Sequence, residues 1–266
     1  MFSKLLERQV YSKIFGIISP YITQWKHGFL PGRSTVSQLA QVVHQLPRAL
    51  EMRQQVDVIY LDFSKAFDRV SHEKLLFKFE CLGIKGPLLV CFRSYLSGRR
   101  HRVVIDNEAS DFLPVTSGVP QGSILGPLLF LVYINDMPDV ISGDTPLPLC
   151  ADDSKCFCLI LGQDDGDKLQ ENLNKLLEWS CIWGMEFNVK KCKVVRVART
   201  KCSYERDYFL GGTKLERVAV EKDLGIWISH DLSWNHHVEI VMSRAQQMLN
   251  LLHRTCKDMT DIRTKK

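Results

Sequence analysis

Two spacings of apolar residues alternate along the chain and divide it into helices and strands. Residues 2–18 place Leu5, Val10, Ile14, Phe15 and Ile18 at helical intervals with charges between them, and Ser19-Pro20 ends the run. After a loop from His27 to Thr35, a helix is expected from about Ser34 to Met52, with Ser or Thr able to cap it. Val56 to Leu61 is β-branched and aromatic, as a strand requires. Two helices follow, Ser71 to about Cys81 and about Pro87 to Tyr95, the first stopped by Gly83. Val103-Val104-Ile105 and Phe112 to Val115 read as hairpin strands around a turn at Asp106-Asn107. From Ser123 to about Ile141 the chain is apolar on nearly every helical face, which predicts a buried helix. Gln163 to Trp183 carries Leu169, Leu173, Leu176, Leu177 and Trp183 at helical spacing and meets Gly184 at its end. Short strand runs broken by Gly211-Gly212 occupy 208–229, and a long helix is expected from Ser233 to about Thr255. The mixture is an α+β fold.

Composition narrows the classes. With 266 residues, 45% hydrophobic and 24% charged, the chain can bury a substantial core. Its apolar run from Ile124 to Ile134 is far short of the ~20 residues of a membrane span, so no membrane partner is expected. The net charge is only +5, so a nucleic-acid footprint must come from local clusters. Between Lys190 and Arg206 seven Lys or Arg face one Glu, the most basic stretch. A second cluster, Arg99-Arg100-His101-Arg102, suits phosphates or simply a solvated strand edge. Nine cysteines form no C-x-x-C pair and read as reduced thiols rather than zinc ligands.

The chemistry concentrates in acids. Leu149-Cys150-Ala151-Asp152-Asp153-Ser154-Lys155-Cys156-Phe157 is an apolar strand, two adjacent carboxylates and a return strand, a β-hairpin with acids at its turn. Alone, such a turn is usually just solvated. The strand from Val56 adds Asp62 and Asp68 at its end, and carboxylates converging from separate strands are what a two-metal site needs. Between them lies Thr116-Ser117-Gly118-Val119-Pro120-Gln121-Gly122, a Gly/Pro loop that allows close backbone approach to a substrate.

Taken in order, YLDFSKAFD, SGVPQGSILGPLLFLVYINDM and ADD closely resemble reverse transcriptases of non-LTR (LINE-type, jockey/CR1-like) retrotransposons, and the resemblance runs over essentially the whole chain. It implies a polymerase palm, an antiparallel sheet with backing helices and a ferredoxin-like core: partial fingers in 1–55, palm in 56–200, and primer grip with the start of a thumb in 201–266. It implies RNA-directed DNA synthesis from dNTPs on an RNA template and DNA primer, with two Mg²⁺ ions (Mn²⁺ as substitute). Asp62 and Asp152 would be the main ligands, the Phe63 carbonyl assisting and Asp153 beside them. Lys191 matches a lysine that protonates the leaving group; Gln121 and Gly122 match the loop against the incoming nucleotide. Phe67 sits where an aromatic ring excludes a 2′-hydroxyl, or is a core residue. Arg33, in the GF-x-x-GRST element, is a candidate phosphate contact or a solvated Arg. With Arg99, Arg100, Arg102, Lys190, Lys193, Arg196, Arg199 and Lys201 it makes up the expected nucleic-acid surface. Asp68 carries no assigned role and could cap the next helix. Leu224-Gly225-Ile226 resembles the primer-grip turn.

Two departures qualify the expectation. Cys150 stands where the family usually carries an aromatic residue. The chain also starts after the family's upstream fingers strands and stops as the thumb begins, so it is expected to bind Mg²⁺ yet extend a primer poorly or not at all. A catalytically inert nucleic-acid-binding remnant and a maturase-like splicing cofactor are the alternatives. An intracellular location, nuclear or in a cytoplasmic ribonucleoprotein, follows from the resemblance.

Overall fold

The computed structural model describes residues 2–142, 145–198 and 204–256. In chain order the elements are α1 (Phe2–Ile18), α2 (Thr35–Glu51), β1 (Gln55–Leu61), α3 (His72–Cys81), α4 (Pro87–Leu96), β2 (Arg100–His101), β3 (Val104–Ile105), β4 (Glu108–Ala109), β5 (Leu113–Pro114), α5 (Leu125–Tyr133), β6 (Leu149–Cys150), β7 (Asp153–Ile160), α6 (Gln163–Trp183), β8 (Lys193–Val197), β9 (Phe209–Leu210), β10 (Thr213–Lys214), β11 (Glu216–Val218), β12 (Val220–Asp223), β13 (Ile226–Ser229) and α7 (Asn235–Thr255). The fold is α+β around a five-stranded sheet of order β11-β8-β1-β7-β6. Its pairs are antiparallel except β11 with β8, which runs parallel, so the 201–266 segment adds a strand to the sheet that holds the acids.

The strand alternation sorts the sheet into two faces. Ile59, Leu61, Cys156 and Val194 belong to the larger core, shared with α3, α5 and α6. Val56, Val58, Phe157, Val195 and Val197 belong to the smaller core with Val42, Leu46 and Leu50 of α2. The helix boundaries follow from local chemistry. Ser34 and Ser37 form a capping box at the start of α2, Ser71 caps α3, and Gly184 ends α6 at a positive φ of 70°. Ser71, not Asp68, is therefore the cap of α3.

Two sequence expectations change. The helix expected to reach Ile141 stops at Tyr133, followed by a 3-10 turn at Met137–Val140. Two buried ammonium groups explain the stop, because they take up carbonyls at its end. Lys26 Nζ donates to the Leu131 carbonyl at 3.3 Å and Asn135 Oδ1 at 3.1 Å, and Lys78 Nζ donates to the Tyr133 carbonyl. At its other end, Glu7 of α1 accepts from the Ile124 and Leu125 amides. The 97–115 hairpin is also two separate short ladders, β2 with β5 and β3 with β4, turning at Asp106 and Asn107 in left-handed conformations.

Lys78 gives a pH test of this packing. It pairs with Asp136 and lies 3.5 Å from the Trp183 ring centroid. Burial pulls its ammonium from the usual 10.5 down to about 8, against the opposing attraction of Asp136. Between those values the unfolded chain binds a proton here that the folded chain has released. The residue's contribution to stability is therefore least below pH 8 and rises through that window. Lys78→Met should remove that rise in urea melts, and a wild-type-minus-variant difference that stays flat would refute it.

Candidate active site

The acid strand ends where the sheet opens. Leu61 of β1 pairs with Ser154 of β7, so Asp62 follows the last paired position and stands beside Asp153. Tyr60 pairs with Lys155 and with Lys193, which puts Tyr60, Asp62, Asp153, Lys155 and Lys193 on the face shared with α2. They line a cleft of about 320 Å³ with Lys190, Lys191, Asp223 and Leu224. Asp152 occupies the tight turn between β6 and β7, where Ala151 takes a φ of 58°.

Backbone bonds fix Asp62. Its carbonyl accepts from the Asn188 amide at 2.8 Å, while the Ser64 amide donates to Glu186 O at 2.7 Å. These close a bridge between Phe63 and Phe187, whose rings stack at 4.6 Å; the Phe63 carbonyl takes no part in either bond. The Cys192 thiol sits 3.5 Å from the Asp62 amide. Lys191 Nζ lies 3.3 Å from Asp62 Oδ2, an ion pair, yet that oxygen is buried and has no hydrogen-bond partner. Asp153 is pushed above the usual carboxylate range, first by partial desolvation at the cleft wall, then by the like charges of Asp152, Asp223 and Asp62.

Among the described residues no three Asp, Glu, His or Cys side chains are grouped closely enough to hold a metal ion as they stand. The donor set nonetheless suits a divalent cation: it is all hard oxygen, and Asp62 Oδ2 lacks a hydrogen-bond donor.

An aromatic cluster lies apart from the residues that line this cleft. Phe67 stacks on Phe130 at 4.3 Å and meets Phe29 edge-on at 6.0 Å, half-buried beside the Gln-Gly loop. Gln121 Nε2 donates to Asp68 Oδ1 at 3.1 Å and the Ser117 hydroxyl to the Asp68 carbonyl at 2.8 Å, so Asp68 orients the loop. Gly118 sits so close to Asp68 that a Cβ would come within 2.9 Å of its Cα. Gln121 and Gly122 are exposed.

The expected nucleic-acid residues divide. Arg99, Arg100 and Arg102 are exposed on the 97–115 arm, Arg102 over Phe112 and Arg99 over Tyr95. Lys190 and Lys191 are exposed at the cleft. Lys193 instead bonds the Lys190 carbonyl and pairs with Glu216. Arg196 is no surface contact: its side chain is 4% exposed and pairs with Asp57, which also accepts from Tyr208. Arg33 likewise spends Nη1 on the carbonyls of Thr23, Gln24 and Lys26. The Arg196 correction has a plain cause, a guanidinium taken up by a buried carboxylate, whereas Arg33 is only half-buried and its backbone bonds are all made by Nη1. Arg199 and Lys201 lie outside the described residues.

Sequence reasoning missed Gly28 and the Lys155–Asp223 pair. The Trp25–His27 backbone pairs with Leu149, and Gly28 then lies flat against Ala151. The glycine before Phe29 was a signal for such a contact. The ion pair left none, because its members are 68 residues apart.

Residues 1–228 match the family described as reverse transcriptase (RNA-dependent DNA polymerase). The chain is similar to the RNA-directed DNA polymerase from mobile element jockey of Drosophila funebris, 30% identical over 250 residues, 88% of this chain and 26% of that protein. It is 31% identical over 253 residues to the probable RNA-directed DNA polymerase from transposon X-element of Drosophila melanogaster, 91% of this chain and 27% of the relative. The chain thus spans about a quarter of the curated relatives it matches. In fold it is similar to apo telomerase from Candida tropicalis truncated from its C-terminal domain, with a TM-score of 0.58, 13% identity, and 87% of this chain and 44% of that one covered. Candida albicans telomerase in complex with a TWJ fragment of telomeric RNA gives a TM-score of 0.53 at 15% identity over 87% of this chain and 38% of that chain.

Proposed function

This chain belongs to the reverse transcriptase (RNA-dependent DNA polymerase) family, and we propose on that premise that it extends a DNA primer on an RNA template from dNTPs. The observation that carries the reading is the placement of Asp62 beside Asp153, one turn residue from Asp152, with Lys191 against Asp62. The family is generally divalent-metal dependent. Asp62 and Asp152, with the Phe63 carbonyl and Asp153 beside them, would hold two divalent cations, Mg²⁺ or Mn²⁺ in its place, and these supply acidification of the primer 3′-hydroxyl and neutralisation of triphosphate charge.

The chain's own residues do the rest. The Lys191 ammonium, 3.3 Å from Asp62, can give its proton to the leaving pyrophosphate. The Phe67 ring, fixed by Phe130 and Phe29, presents a rigid edge to the sugar and excludes a 2′-hydroxyl. Gln121, held by Asp68, lies against the incoming nucleotide. Arg99, Arg100 and Arg102 track the nucleic-acid backbone, with Lys190 nearer the cleft. The protein works inside the cell, in the nucleus or a cytoplasmic ribonucleoprotein.

The test is extension of a labelled DNA primer on RNA, with Mg²⁺ or Mn²⁺ and with a chelator. Extension that needs all four dNTPs and stops with chelator is the expected result. In the same preparation, replacing Arg99, Arg100 and Arg102 by Ala should flatten the slope of log affinity against log salt by about 2 to 3. Steeply salt-dependent binding of the hybrid with no incorporation under any metal would overturn the polymerase reading in favour of a nucleic-acid-binding protein.

A further inference from the structure

Lys155 stands two residues after Asp153 on β7 and therefore on the same face of the sheet. Its Nζ donates to both carboxylate oxygens of Asp223, the last residue of β12. The two side chains are only 4% and 5% exposed, and the Tyr60 ring lies 6.0 Å from the ammonium. Asp223 precedes the turn at Leu224 and Gly225, both at positive φ, which closes β12 and β13 into a separate two-stranded ladder. At its far end the ladder closes on itself through His230 N to Ala219 O and joins the large sheet through Ala198 N to His230 O, while Trp227 N donates to His237 of α7. The end nearest the acids is held by the Lys155–Asp223 pair. Leu224 at the turn and Asp62, Asp153, Lys155 and Asp223 all line one cleft.

We propose that Lys155 and Asp223 form a positioning latch, which fixes the Leu224-Gly225 turn above the aspartates and so sets where a primer 3′ end rests. The proposal rests on the polymerase reading for the identity of the bound strand, but not for the latch itself. The pair has a second effect on the same site. Asp223 is near enough to raise the Asp153 carboxyl, and Lys155 opposes it. Without Lys155 the cleft would gain an uncompensated carboxylate beside its acids. A buried pair is a poor way to gain stability, since apolar residues of similar volume often serve as well. Its value here is directional: a two-oxygen contact to an ammonium fixes the hairpin tip where a greasy contact would let it slide.

That contrast designs the experiment. Lys155→Met, the apolar pair Lys155→Met with Asp223→Leu, and the exchanged pair Lys155→Asp with Asp223→Lys would be compared by thermal melting, by hydrogen exchange of residues 220–229 and by single-nucleotide extension. The apolar pair is expected to melt close to wild type, yet exchange faster in the hairpin and show KM for primer–template raised about tenfold, a modest share of what a 1 Å misplacement can cost. Its KM for dNTP should stay within about twofold, because the nucleotide is held by other residues, and the exchanged pair should recover part of the primer loss. An apolar pair with wild-type hairpin exchange and wild-type KM for primer–template would overturn the latch. If wild type itself extends no primer, the polymerase reading falls. The latch is then decided by hairpin exchange and hybrid affinity, where wild-type values in the apolar pair refute it.

Discussion

Asp62→Asn and Asp152→Asn are each expected to lower primer extension by about a thousandfold or more, while leaving the melting temperature near or above wild type. The activity loss follows from replacing a full negative charge by a neutral amide where cation charge must be held, a change of several kcal/mol at about 1.4 kcal/mol per decade of rate. The stability result follows from the structure. Asp62 and Asp152 both contribute to the like-charge field that pushes up the Asp153 carboxyl, so losing either relieves repulsion. Asn keeps the size of Asp, and the backbone bond from Asn188 to the Asp62 carbonyl does not involve the side chain. Single-turnover incorporation alongside circular-dichroism melting measures both. A variant that keeps more than about a tenth of the rate would mean that its aspartate is not among the main ligands.

Gly28→Ala is the second large effect, and it acts through space rather than charge. A Cβ at Gly28 would collide with the Ala151 amide nitrogen and lie 3.0 Å from the Cys150 carbonyl carbon, both rigid backbone atoms. The neighbouring bonds leave little room to yield: His27 N donates to Leu149 O and Leu149 N to Trp25 O, each at 2.9 Å. The Ala151 turn must move, and Asp152 moves with it. Forced packing of this kind costs about 1–3 kcal/mol, and displacement of the acids by about 1 Å can cost a hundredfold in rate. Melting and extension of Gly28→Ala, with Gly16→Ala in α1 as a glycine that faces open space at an ordinary helical φ, would show it. Wild-type extension in Gly28→Ala would mean that the turn does not position the acids.

What could be read from the sequence was what is local. The bounds of α6 followed from leucine spacing and Gly184, and the acid hairpin from two apolar runs around Asp152-Asp153. What could not be read depended on partners far along the chain. The end of α5 is set by Lys26 and Lys78, the fate of Arg196 by Asp57 across the sheet, and the cleft roof by Asp223 reaching Lys155. Arg196 did leave a trace, since Val194, two residues earlier and so on the same face of the strand, is apolar and buried. The basic count from Lys190 to Arg206 treated every cation as solvated, and folding removed Arg196 from that surface.

The sheet order has a consequence for how the protein is made. Strand β1 is central, flanked by β7 and β8, yet it leaves the ribosome before either. Leu61 and Ser154, which meet across the first of those pairings, are 93 residues apart. At about 5–20 residues per second of synthesis, Val56-Asp57-Val58-Ile59-Tyr60-Leu61 waits roughly 5–20 s with both edges unpaired. Such a strand invites pairing with neighbouring nascent chains. Asp57 then acts in a capacity unlike its role in the finished fold: a charge in mid-strand opposes self-association of the waiting segment until Arg196 arrives to neutralise it and Tyr208 to donate a hydrogen bond.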